Sequence, residues 1–233
     1  MKNLLYKELK LCMNPQAYIF LFFGCFVLMP SYPLYIIPIF FMSSISSIIA
    51  FAKEANDIFY TATLPIKRSD VVKSKVLFFA TIETIFIALT SVFMIISILL
   101  SKYVPGYADG GSASGEVVST SKNSTGMTAN ITIFGIYFIV FGIYNLIFCP
   151  WWYKKPEKFT APFFVAMIVS TMISAILGTT VLYIPFLDAY FNAVTYNNWY
   201  FQLIFLVVSF GLFVLLNFIA TKISQKKFQK IDI

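Results

Sequence analysis

Residues 53–75, KEANDIFYTATLPIKRSDVVKSK, hold eight formal charges in 23 positions and stand between two long apolar runs. That contrast decides the fold class. A soluble domain carries roughly 25% charged residues, whereas this chain of 233 residues has 12% charged and 59% apolar residues, with 27 Phe and 14 Tyr. Uninterrupted apolar runs near the ~20 residues that span a bilayer predict membrane helices, and they lack the alternation of a transmembrane β-barrel. The expected fold is all-α: a polytopic integral membrane protein, with no soluble segment large enough to build a core of its own.

Outward from the charged loop, apolar spans are predicted at about 16–29, 34–52, 76–101, 130–150, 160–186 and 199–221, one membrane domain over residues 1–233. Residues 1–14 mix Lys2, Lys7 and Lys10 with Leu4, Leu5, Leu9 and Leu11 at helical spacing, which predicts an interfacial helix ended by Asn14-Pro15. The first span is short, about 21 Å at ~1.5 Å per residue. It must borrow residues from before Pro15 or cross a locally thin membrane. Residues 102–129, rich in Gly, Ser and Thr, form a predicted extracellular loop. Pro38, Gly142, Pro162, Gly178 and Pro185 interrupt the spans and are read as ordinary membrane-helix residues or as gating breaks.

The basic residues orient these spans. Of 17 Lys and Arg, 15 fall in the N-terminus, the 53–75 loop, the 151–159 turn and the C-terminal tail; only Lys102 and Lys122 lie on the other side. The positive-inside rule then places both termini and the charged loop in the cytoplasm of a multi-pass cell-membrane protein. The net charge of +7 is thereby a topology signal and predicts no nucleic-acid partner.

Catalytic chemistry is hard to find. The chain has no His, the commonest general base and metal ligand. Cys12, Cys25 and Cys149 have no metal or redox spacing and are read as small apolar residues, so no catalytic or metal-binding residue is assigned. The nearest approach to a phosphate loop is Gly110–Gly115, but Glu116 stands where the cradling lysine belongs. Glu83 is the one formal charge well inside a span. Either it lies near the cytoplasmic interface, hydrated or paired with a basic loop residue, or it marks a translocation path or subunit contact. No intramembrane cation pair, acidic relay or inverted repeat points to an ion-coupled carrier.

Within the loop, Glu54 and Asp57 are placed in the first turn of a helix over about 54–63, where acids complement the positive helix end. Ile58, Phe59 and Ala62 give it an apolar face, and Pro65 ends it. Ser69-Asp70 is expected to cap a second helix running through Val71, Val72 and Lys75 into the third span. Such a helix is a docking element for a groove on a soluble partner or a solvated connector.

Glu54 and Asp57 followed by Thr63-Leu64-Pro65-Ile66-Lys67-Arg68, then Val71-Val72 and Lys73-Ser74-Lys75, resemble the first cytoplasmic loop of ABC-2 type transporter permeases. The resemblance implies a surface helix before six spans and a coupling helix between spans 2 and 3 that docks on a separate ATPase subunit. Glu54, Asp57, Ile58, Phe59, Leu64, Pro65 and Arg68 become the implied ATPase contacts, and Lys2, Lys7 and Lys10 the polar face of the surface helix. ATP and magnesium are expected on the partner, and none on this chain, which is not expected to be an enzyme. A second permease copy or a paralogue is the implied membrane partner. The composition is most similar to Gram-positive permeases of this family, whose implied cargo is an amphipathic peptide; lipid or drug-like cargo is the alternative. A non-transporting sensor or immunity protein binding peptide at 102–129 is the rival class.

Overall fold

The computed structural model describes residues 2–29, 32–55, 57, 60–61, 66–104, 130–156, 158–192 and 199–229, with only the backbone described at 2, 3, 11, 101 and 102. The described residues form helices and no strand. In chain order they are α1 (Lys2–Leu11), α2 (Pro15–Phe22), α3 (Ile37–Glu54), α4 (Arg68–Tyr103), α5 (Ile131–Trp152), α6 (Thr160–Tyr183), α7 (Pro185–Phe191) and α8 (Trp199–Phe228). Short 3₁₀ turns at Phe23–Leu28 and Leu34–Ile36 precede α3.

Among the described residues, five helical segments are long and apolar enough to cross a bilayer: Leu34–Glu54, Arg68–Leu100, Ile131–Trp152, Thr160–Tyr183 and Trp199–Phe228. The chain is a multi-pass helical membrane protein. The predicted first span at 16–29 is divided between α2 and the following 3₁₀ turn. It reaches span length only when joined to Leu4–Lys10, from which it bends by 85°. Residues before Pro15 therefore do not continue it in line. The local cause is the Asn-Pro pair: Asn14 Oδ1 accepts the Ala17 N–H at 2.8 Å and Pro15 starts α2, so the chain caps a new helix here.

Helix α5 forms the centre, packing on α8, on α6 and on the turn before α3. Tyr144, Phe148 and Trp152, four residues apart, stack along one face at centroid separations of 5.4 and 5.8 Å. Phe41, Phe86 and Phe141 bind α3, α4 and α5 together through centroid distances of 4.5–6.0 Å. The outer helices α6 and α8 bury little and leave Phe164, Met172, Val207, Leu215 and Phe218 exposed, the surface a hydrocarbon solvent would cover.

Other boundaries differ from expectation. Helix α8 continues through Phe228, so the basic tail from Thr221 is helical; Phe228 is buried edge-on against Tyr153 at 5.3 Å. Pro185 does not interrupt a span but begins α7. The predicted 102–129 loop falls outside the described residues from 105 onward.

Gly178 is a packing residue: a Cβ there would lie 2.9 Å from Cδ1 and 3.0 Å from Cγ of Tyr35. Ser174, one turn earlier, donates to the Tyr35 carbonyl at 2.5 Å, and Tyr137 Oη donates to the Leu34 carbonyl at 2.6 Å. Together these contacts pin the start of α3 against α5 and α6. Gly178→Leu should lower the unfolding midpoint in detergent by an overpacking cost of about 1–3 kcal/mol. Gly211→Leu, where added atoms meet open space, should stay within about 0.5 kcal/mol.

Candidate functional site

Two polar clusters interrupt the apolar packing. The first lies at the base of the charged loop. Lys75, in the second turn of α4, is 3% exposed, and its ammonium donates to Glu8 Oε2 at 2.5 Å and Asp57 Oδ2 at 3.3 Å. It also lies 3.2 Å from Cys12 Sγ, whose thiol donates to Glu8 Oε2 at 3.0 Å. Lys7 pairs with Asp57 Oδ1 at 2.5 Å and donates to Thr61 Oγ1. Two cations and two carboxylates thus balance, with Glu8 from α1, Lys75 from α4 and Asp57 from the loop.

The chemistry of this hub is structural. Glu8, Cys12 and Asp57 each offer a metal-ligating atom, all within 4.8 Å of one another. The Lys75 ammonium occupies the middle of that set, however, and Lys7 completes the charge balance, so the residues do not fit a cation. Burial pushes the Cys12 thiol up to about 12; the Lys75 charge opposes this, and the Glu8 and Asp57 carboxylates reinforce it. Burial also raises the Asp57 carboxyl, but the Lys75 and Lys7 charges and hydrogen bonds outweigh it and hold it below its ordinary 3.8. Its contribution to stability is therefore complete above 3.8 and is lost only as pH falls through the lowered value.

The second cluster lies within the helices. Glu83, fully buried about 22 Å along α4 from Arg68 at ~1.5 Å per residue, accepts from Asn145 Nδ2 of α5 at 2.7 Å. The same amide donates to Asn217 Oδ1 of α8 at 3.0 Å, and Asn217 Nδ2 donates to the Phe213 carbonyl at 2.9 Å. Glu83 Oε1 and Asn145 Oδ1 have no hydrogen-bond partner among the described residues. Among the described residues Glu83 is therefore neither hydrated nor paired with a basic loop residue, as one reading of the sequence had it. It sits where three membrane helices meet.

The other sequence-predicted residues are placed as follows. Glu54 is exposed and ends α3, at the negative rather than the positive helix end. Asp57 turns inward to the hub, as does Lys7, which is not on a solvated polar face of α1. Lys10 is exposed, its ammonium 5.7 Å from the Tyr6 ring centre, and the Lys2 side chain is outside the described set. Ile58, Phe59, Leu64 and Pro65 lie outside the described residues, and Arg68 is the half-buried first residue of α4. Ser69-Asp70 does not cap α4: Lys67 does, with extended backbone and no side-chain bond, leaving Asp70 in the first turn.

Sequence reasoning missed Glu8, Thr61, Asn145 and Asn217, and misread Cys12 as an apolar filler. Signals existed. Glu8 is the only acid before Glu54, and the two asparagines interrupt otherwise apolar runs.

Residues 3–109 match the family model described as ABC-2 family transporter protein. The match takes in α1 through α4, hence the whole hub and Glu83. No curated protein and no solved structure matches the chain.

Removing one partner of a buried ion pair strands the other, at a cost of about 3–5 kcal/mol. Lys75→Met should therefore destabilise the protein by that order in a detergent unfolding series. Adding Glu8→Met should recover part of the loss, a coupling that a double-mutant cycle reads directly. At pH 8 the Cys12 thiolate fraction is on the order of one part in 10⁴. A maleimide should consequently label Cys12 only after unfolding, and labelling at the rate of a free thiol would show that the hub is open.

Proposed function

We propose that this chain is the permease subunit of an ATP-driven exporter, powered by separate cytosolic ATPase subunits that dock on the 53–75 loop. The observation that carries the reading is the hub: Asp57 of the loop shares the Lys75 ammonium with Glu8. A displacement of Asp57 is thereby transmitted to α4, and through Lys75 and Glu8 to α1, by direct ion pairs. Nucleotide-driven closure of an ATPase pair would pull on the loops of two permease copies and open a path between their spans. ATP and magnesium belong to the partner in this scheme.

The family match over residues 3–109 and the convergence of the basic ends support it. Gln225 of α8 donates to the Ser69 carbonyl of α4 at 2.9 Å, Phe228 packs on Tyr153, and Lys7 meets Asp57. The N-terminus, loop, 153 turn and tail therefore share one end, which the lysine distribution assigns to the cytoplasm. An amphipathic peptide is the cargo that suits helices rich in Phe, Met and Ile. In this proposal the chain resembles the permease of the staphylococcal exporter of phenol-soluble modulins.

Co-expression with an ATPase encoded beside this chain tests the docking. The pair should co-purify from detergent, and Leu64→Ala/Arg68→Glu should abolish retention while membrane insertion stays intact. Retention undiminished in that variant would refute the docking assignment. In proteoliposomes, amphipathic peptides should stimulate ATP hydrolysis of the wild-type pair.

A further inference from the structure

A groove of about 310 Å³ runs between α4 and α8 at the basic end of the molecule. Lys73 of α4 and Lys222 of α8 stand in its rim, and Leu77, Ala80, Val214 and Phe218 form walls leading away from them. Residues 73 to 80 rise about 10 Å and residues 214 to 222 about 12 Å. The groove is therefore nearly as deep as one hydrocarbon leaflet, half of the ~30 Å core. Both lysines are exposed, no carboxylate lines the groove, and among the described residues neither ammonium has an acidic partner. The Lys222 ammonium lies 5.4 Å from the Phe218 ring centre, so it leans over the apolar wall instead of extending from it.

We propose that this groove is a binding site for an anionic phospholipid, the phosphate held between Lys73 and Lys222 and an acyl chain laid along Leu77, Ala80 and Val214. Charge complementarity fixes the headgroup. Two ammoniums with no acidic partner among the described residues, at a membrane-facing rim, attract a phosphate from an anionic leaflet. The apolar walls fix the rest: free phosphate gains nothing from Phe218 and Val214, which are 62% and 51% exposed and complete their burial only against a chain. A second copy of this protein would instead have to bury like charges without partners, which is costly. The site depends only on α4 and α8 spanning a bilayer and is independent of any ATPase.

The floor of the groove gives the site a consequence. Asn217 lines it and accepts from Asn145, which also holds Glu83. A bound chain would cover Asn217 where it lines the groove, and with it an approach to that buried trio.

The test is lipid retention by native mass spectrometry. The purified full chain is exchanged into micelles containing equal phosphatidylglycerol and phosphatidylcholine. Wild type should retain phosphatidylglycerol selectively. Lys73→Gln or Lys222→Gln should each weaken retention about fivefold, and the pair roughly 25-fold. Lys73→Arg/Lys222→Arg should retain it within about twofold, because charge and not shape recognises the phosphate. Both lysines are exposed, and unchanged melting of the variants in phosphatidylcholine alone would confirm that folding is intact. Equal retention of both lipids, wild-type retention by the double Gln variant, or full displacement by inorganic phosphate would overturn the proposal. So would efficient cross-linking of Phe218→Cys between two copies in membranes, which would give the groove to a second permease.

Discussion

The arrangement at the loop depends on one buried ammonium. Lys75 is 3% exposed and would not tolerate that position alone, because an unpaired charge out of water costs several kcal/mol. Glu8 and Asp57 make it tenable, and in doing so they bring α1 and the charged loop to the first turns of α4. In return Lys75 meets the charge of buried Glu8, and with Lys7 it meets that of half-buried Asp57. The cluster is thus a mutual requirement, and it explains why α1 leaves the line of α2 by 85°: a continuous helix would carry Glu8 away from Lys75. Asn14 and Pro15 supply the break, and the ion pairs supply the reason for its direction.

The two polar clusters use opposite electrostatic solutions. At the loop, full charges are neutralised by full charges. Deeper in α4, Glu83 meets only amides, with Asn145 donating to both Glu83 and Asn217. Amide bonding across helices ties α4, α5 and α8 where apolar side chains give no hydrophobic preference over lipid. An isolated carboxylate at such depth marks functional positions more often than structural ones, and this one stands between the central helix and the helix that lines the lipid-facing groove.

Much of the fold was legible because its signals are local. Apolar length gave the spans at 34–52, 76–101, 130–150, 160–186 and 199–221 to within several residues, since a bilayer imposes a length on any helix that crosses it. Where two elements compete for the same residues, sequence failed. The run at 16–29 looks like one regular helix, but a 3₁₀ turn takes Phe23–Leu28. The tail from Thr221 looks like a solvated basic end, yet Ser224 and Phe228 find buried places, Phe228 against Tyr153 at the C-terminal cap of α5. The site was less legible for the same reason. Glu8 and Lys75 are 67 residues apart and Asn145 and Asn217 are 72 apart, and no periodicity within a span reports which helices become neighbours. Asp57 shows the limit from the other side. Its place in the loop was correctly noticed, but an acid that looks outward by composition turns inward when two ammoniums wait there.

The lysines of α4 show why counting charges yields topology but not role. Lys73 and Lys75 both vote for the same side of the membrane. They are two residues apart, and a helix turns about 100° per residue, so their side chains leave the axis about 200° apart. One therefore faces α1 and the loop, and the other faces the groove beside α8. Burial follows phase: Lys75 is enclosed and Lys73 is exposed. Among the described residues, only the enclosed lysine of the two has its charge met by carboxylates. The exposed one, with Lys222 across the groove, has its charge left for the membrane to answer. A single helical turn of α4 thus carries one cation that holds the chain together and another that addresses the lipid around it.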